Sequence, residues 1–192
     1  MRSEIWNLLF AIGGVVPTGI FALFALVALL ERRAWRVAAS WPLWLLVAIA
    51  VGTATKVVYY GWGIEHGFIR FRGFSGHTLR AAAVYPTFAY ALFAGSSRSR
   101  VVGGMILGSL IACMVLFGGV HNGIHTFAEA LTGGVTGAVA AFAICSRGPL
   151  PPLRGSTQIL IVACACLLWI AIPPFRFDLE QVVVDFSMRL RH

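Results

Sequence analysis

Residues 101–145 read VVGGMILGSLIACMVLFGGVHNGIHTFAEALTGGVTGAVAAFAIC. Glu129 is the one charged side chain in the whole stretch. Two apolar runs, 101–117 and 125–145, flank the short Gly-rich loop GGVHNG. Each comes close to the roughly 20 residues that a helix needs to cross a bilayer. Working outward, four more apolar runs have similar length. They cover about 77–95 and 157–173, and towards the N-terminus about 5–30 and 41–60. The expected fold is an all-α integral membrane protein, one domain over 1–192, built as a bundle of six transmembrane helices.

The composition agrees. Hydrophobic residues make up 59% of the chain and charged residues 11%, with a mean hydropathy of +0.85. A soluble domain carries roughly a quarter charged residues, so an ordinary soluble enzyme and a disordered chain are both excluded. Six spans take about 120 residues, which leaves no room for a separate soluble domain among the 192. The run at 5–30 reads as a retained span with Pro17 as a tolerated kink, since no small-residue cleavage site stands out before Glu31-Arg32-Arg33. Ser40 is the expected N-cap of the second span, with Pro42 in its first turn. Pro86 is expected to bend the third. The tail from Phe177 onward places Leu179, Val182, Val183, Phe186 and Leu190 at helical spacing, with Asp178 and Gln181 spaced as a capping box. It reads as a short amphipathic C-terminal helix, either at the membrane surface or packed on the bundle.

The net charge is +8, from fifteen Lys+Arg against seven Asp+Glu. No basic run is longer than the Arg32-Arg33 cluster, so the charge reads as arginines at span ends beside anionic lipid, and no nucleic-acid partner is expected. Loops one, three and five hold Arg32, Arg33, Arg36, Arg98, Arg100, Arg147 and Arg154. The positive-inside rule then makes those loops cytoplasmic and puts loops two and four on the outer face. Loops two and four share a face whichever way the chain inserts, because two spans separate them. The four cysteines, Cys113, Cys145, Cys164 and Cys166, all lie in apolar runs and read as small core residues.

With the span-end arginines set aside, few ionisable groups remain, and they gather at loops two and four. Loop two is GWGIEHGFIRFRGFSG, residues 61–76. In or beside these loops are His66, His77, His121 and His125, the one lysine Lys56, and Arg70, Arg72 and Arg80. Glu129 is the one acid inside an expected span, where an acid costs roughly 2.5–3.5 kcal/mol on insertion scales, so a functional role is the default expectation. His125 and Glu129 are four residues apart, on one face of a helix. A carboxylate there fixes the imidazole tautomer and frees the other ring nitrogen. His77 follows Phe74-Ser75-Gly76, a turn leading into a helix whose N-terminus favours phosphate. Lys56, Arg70, Arg72 and Arg80 add positive charge. Two histidines with cationic donors suit phosphoryl transfer, one attacking phosphorus and the other protonating the leaving oxygen, with no metal required.

Over residues 56–137 the chain resembles the type 2 phosphatidic acid phosphatase superfamily, membrane lipid phosphatases related to the vanadium haloperoxidases. That family carries Lys-x6-Arg-Pro, Pro-Ser-Gly-His and Ser-Arg-x5-His-x3-Asp. Here the second motif is Phe74-Ser75-Gly76-His77, and the third is approximated by Gly118-Gly119, His125 and Glu129. Gly63 stands seven positions after Lys56, where the family has arginine. The resemblance implies a six-helix membrane bundle. It makes His125 the nucleophile, His77 the general acid and Glu129 the orienting carboxylate, with Lys56, Ser75 and Gly76 as phosphate ligands. Arg70, Arg72 and above all Arg80, one turn from His77, are the expected substitutes for the family's arginines, and His121 is a further candidate contact.

The function these readings lead to is a membrane lipid phosphatase acting on a lipid phosphate or pyrophosphate through a phosphohistidine, with no cofactor. The expected partners are its lipid phosphate substrate and the surrounding membrane lipids. The expected location is a bacterial inner membrane, with the active-site loops on the periplasmic face. A phosphotransferase using the same histidines, a catalytically dead relative that binds lipid phosphates, and a transporter are the alternatives. The absence of a visible repeat counts against the last.

Overall fold

The structure, a computed structural model, describes residues 2–63, 71–172 and 179–190. Within these the chain is all-α, with eight helices: α1 (Arg2–Ala11), α2 (Val15–Glu31), α3 (Trp35–Trp62), α4 (Gly76–Phe93), α5 (Arg98–His121), α6 (Phe127–Cys145), α7 (Gly155–Ala171) and α8 (Leu179–Leu190). Three of them, α3, α5 and α6, are long and apolar enough to cross a membrane. The bent pair α1–α2 makes a fourth if it is one span. Helix α7 is apolar but shorter, at 17 residues.

Helix α4 is the hub. It packs most extensively on α5 and α6, then on α2 and α3. Between Thr78 and Leu92 every residue except Arg80 is buried. An alanine-rich sequence suits this position, because small side chains let neighbouring helices come close. The neighbours contribute glycines. A methyl group at Gly108 of α5 would lie 2.6 Å from the Tyr85 carbonyl, and one at Gly133 of α6 would lie 2.5 Å from that of Ser75. The outward faces are the reverse. Leu43 and Leu46 on α3, Leu107 and Phe117 on α5, Phe142 on α6 and Ile170 on α7 are all exposed. A soluble protein seldom shows so much apolar surface, whereas lipid accepts it.

Several local expectations are corrected. The run at 5–30 is two helices, with a 42° bend, and the break falls at 12–14, ahead of Pro17. Gly13 explains the site of the break. Its backbone lies so close to α4 and α5 that a Cβ would stand 2.5 Å from Val115 Cγ1 and 3.0 Å from the His77 carbonyl. Pro17 then sits in the first turn of α2, where a missing N–H costs little. Helix α3 begins at Trp35, six residues before the expected span, and its N-cap is Ala34. Ser40 instead donates its hydroxyl hydrogen to the Val37 carbonyl, 3.0 Å away. Helix α5 runs on to His121, so that histidine is helical and not in a loop.

The C-terminal helix forms, and it lies on α3, with Ser187 buried and facing Gly61. Val182, Phe186 and Leu190 of the expected apolar stripe stay exposed. Asp178 of the expected capping box lies outside the described residues, and the Gln181 amide donates to Asp185 Oδ1 at 3.2 Å.

Candidate active site

The site lies at one end of the bundle. Here α3 and α5 end, α4 and α6 begin, and α1 runs inward from this end along α5. Helix α4 starts with Ser75 as its N-cap. The Ser75 oxygen accepts from the Thr78 N–H at 3.4 Å and from the Thr78 hydroxyl at 3.1 Å. Ser75 is fully buried in that role, with Gly76 and His77 in the first helical turn. This turn directs backbone N–H groups and the positive end of the helix dipole away from the helix.

Helix α6 starts with a capping box. Thr126 Oγ1 accepts from the Glu129 N–H at 3.3 Å, and Glu129 Oε2 accepts from the Thr126 N–H at 3.0 Å. His125 therefore precedes the N-cap, which corrects the expectation from its four-residue spacing that it shares a helix face with Glu129. The two side chains still meet, with His125 Nδ1 3.4 Å from Glu129 Oε2. The other carboxylate oxygen, Oε1, accepts from the Arg72 backbone N–H at 2.6 Å. A second strut runs beside it, from the Ser75 N–H to the Glu129 carbonyl at 2.9 Å. Glu129 is buried, so one carboxylate fastens loop two, closes the start of α6 and faces the His125 ring. Residues 72–75 at the end of loop two thus lie against the start of α6.

Lys56 belongs to the same neighbourhood. Gly73 has φ of 111°, a conformation that a side chain rarely adopts. A methyl group there would meet Lys56 Cγ at 2.8 Å. The next residue, Phe74, donates its N–H to Thr55 Oγ1 at 3.0 Å. Gly73 and Phe74, at the end of loop two, therefore lie directly over Thr55 and Lys56 of α3, just before α4 begins.

Arg80 turns back towards the start of its own helix. A methyl group at Gly76 would lie 3.1 Å from its Nη1, and Nη2 donates to the Gly13 carbonyl at 3.2 Å. Its Nε is buried and has no hydrogen-bond partner among the described residues. A buried donor left unpaired costs about 1–3 kcal/mol and calls for an explanation. Arg72 reaches the site through its backbone, while its residue is exposed. Arg70 and His66 lie outside the described residues.

The contribution of the N-terminal half-helix was not legible in the histidine pattern. Phe10 of α1 stacks on His77, with ring centroids 4.1 Å apart, and its ring centre is 6.0 Å from that of His125. Trp6, one turn earlier, stacks on His121 at 4.5 Å. Asn122 donates to Asn7 Oδ1 at 3.0 Å. Helix α1 comes down onto α5 over Gly118 and Gly119, where a methyl group would be 3.1 Å from the Phe10 backbone nitrogen and 2.9 Å from its ring, respectively. The glycines at these two positions, where the third motif has Ser-Arg, thus make room for Phe10. The Gly13-Gly14 pair ahead of Pro17 is the sequence signal for a break that lets α1 reach the site.

The structure thus brings His77, His125, Glu129, Ser75, Gly76, Arg80 and Lys56 to one end of the bundle, and His121 to its rim. Among the described residues no three His, Cys, Asp or Glu side chains are grouped so that they could hold a metal ion. The chain matches no protein-family model and no solved structure. It is similar to an "uncharacterized 22.5 kDa protein in cps region" of Klebsiella pneumoniae, 28% identical over 170 residues, which span 86% of this chain and 79% of that one.

Proposed function

We propose that this chain is a membrane lipid phosphatase of the type 2 phosphatidic acid phosphatase kind, with six spans formed by α1–α2 together, α3, α4, α5, α6 and α7. The observation that carries the reading is the buried Glu129 carboxylate, which faces His125 Nδ1 while holding loop two against it. That contact favours the Nδ1–H tautomer and leaves Nε2 as the nucleophilic nitrogen. In the first step Nε2 of His125 attacks phosphorus, the bond from phosphorus to the lipid oxygen breaks, and protonated His77 gives its proton to the departing oxygen. In the second step water attacks the phosphohistidine, His77 takes the water's proton, the P–N bond breaks and inorganic phosphate leaves.

Charge on the phosphoryl oxygens is met by Arg80, Lys56 and the first turn of α4. The unpaired Nε of Arg80 supports its part, since a bound oxyanion supplies the missing acceptor. The apolar outer faces of α3, α5 and α6 support a substrate that stays in the membrane, and the Klebsiella relative supports a bacterial one. The arginine count supports an outward-facing site.

The test is phosphate release by the purified protein, reconstituted with a panel of lipid phosphates and pyrophosphates. Wild type is expected to release inorganic phosphate from at least one of them, and His125→Ala to fall by about 10³-fold or more. Full activity in His125→Ala contradicts the mechanism. Transfer of the phosphoryl group to an added alcohol at the expense of release points to a transferase built on the same histidines.

A further inference from the structure

A groove of about 350 Å³ runs along the side of the bundle between α5 and α6, with α4 as its floor. It exists because α5 and α6 each pack tightly on α4 and touch one another much less. Small side chains keep it open, Ala82 on the floor, Ala112 on α5, and Gly134 and Ala138 on α6, while Phe142 stands towards the far end. Gly134 matters most, because a methyl group there would lie 3.3 Å from Thr78 Cγ2 and 3.9 Å from Leu116 Cδ1, closing the inner end.

We infer that this groove seats one hydrocarbon chain of a lipid whose phosphate is bound at the His77–His125 end, so that the substrate enters sideways between α5 and α6. Three observations converge on that occupant. The inner end is Thr78, the residue after His77, whose hydroxyl is bonded to Ser75. The lining on α5 runs from Met105 to Leu116, about 16 Å at the helical rise, close to the roughly 15 Å of one leaflet's hydrocarbon. The open side lies between two of the helices long enough to cross a membrane, so it faces lipid chains and not water. The substrate assignment rests on the phosphatase reading, whereas the seat for a chain does not.

The experiment fills the groove from positions that already face outward. Ala138→Trp and Ser109→Trp replace exposed residues of the lining, so the fold tolerates both. Each variant and wild type are assayed in phosphatidylcholine nanodiscs, on dioleoyl phosphatidic acid and on para-nitrophenyl phosphate. The expected result is a kcat/KM at least about tenfold lower on the long-chain lipid, with turnover of the soluble ester unchanged. Unchanged kcat/KM on the lipid overturns the groove and leaves the hydrolase standing. If wild type turns over neither these compounds nor any member of the lipid phosphate and pyrophosphate panel, the hydrolase reading fails by itself. The groove is then read by photolabelling with a phosphatidic acid that carries a diazirine in its chain. Labels concentrated on 105–116 and 131–145, and lost in Ala138→Trp, support the seat. Labels spread evenly over all the outer faces overturn it, and so does a dimer trapped through Cys113, which shows that a second copy covers the groove.

Discussion

Glu129 illustrates how one side chain serves structure and proposed chemistry together. Its two oxygens accept from Arg72 and Thr126 N–H groups at 2.6 and 3.0 Å, and one of them faces His125 Nδ1 at 3.4 Å. Removing the carboxylate and removing only its charge are therefore different experiments. Glu129→Ala loses the capping box and the loop strut, a loss of about 1–3 kcal/mol from the cap and the unsatisfied N–H groups, read as a lower Tm in detergent. Glu129→Gln keeps the shape and one acceptor oxygen, so it should stay folded while kcat falls about 10²- to 10⁴-fold with little change in KM. Equal losses of stability and activity in both variants would mean that the carboxylate is only a fastener. Arg80→Met poses a complementary test. If Nε awaits a phosphoryl oxygen, the variant loses about 10²-fold or more in kcat/KM while its stability without ligand changes little, since the buried Nε and the bond from Nη2 to the Gly13 carbonyl disappear together.

Among the helices, the bundle depends on close approach at both ends of α4. At the site end the small residue is Gly133, whose missing side chain leaves room for the Ser75 carbonyl. Gly133→Ala should push α6 away from loop two, weaken the bond from the Ser75 N–H to the Glu129 carbonyl, and lower activity more than it lowers Tm. A Tm loss with unaltered kinetics would contradict that order. At the opposite end the fastener is Arg32, which caps α2. Its guanidinium donates to the carbonyls of Ala91 and Leu92, both at 2.8 Å, and to that of Pro151. Desolvation by burial lowers the Arg32 pKa from the usual arginine value, with Tyr90 acting the other way. Arg32→Met strands the Ala91 and Pro151 carbonyls, while that of Leu92 keeps the Gln158 amide, and should cost about 2–4 kcal/mol, roughly 5–10 °C in Tm, while the site at the other end keeps its KM. Arg32 was read from the sequence as a topology signal, and the structure adds a packing role that its position at a span end could not reveal.

Across the whole molecule, legibility followed the strength of the local signal. The helical runs were plain in the hydropathy, and α4, α6 and α7 start and stop within two residues of the expected runs. The grouping of His77, His125, Glu129 and Lys56 was legible because ionisable groups are scarce in an apolar chain. Three things were not. The break at 12–14 depends on how closely Gly13 approaches α4, a tertiary demand with only a weak Gly-Gly trace. The approach of Phe10 to the histidines follows from that break. The true start of α3 was hidden because Pro42 and Ser40 imitate a helix beginning, although a proline can also sit inside a long helix when neighbours and side chains compensate. The capping box at Thr126 and Glu129 is written in the sequence in plain form, TFAE, but the same carboxylate also stands four residues from His125, and spacing alone does not show that it makes both contacts. The central claim is that His125 carries a phosphoryl group. The direct measurement is to quench the reconstituted protein during turnover of a ³²P-labelled lipid phosphate and map the label by peptide. The account predicts an acid-labile, alkali-stable phosphoryl group on His125 of wild type, which is absent from His125→Ala. Lipid phosphate turnover with no label on His125 under any of these conditions would contradict it.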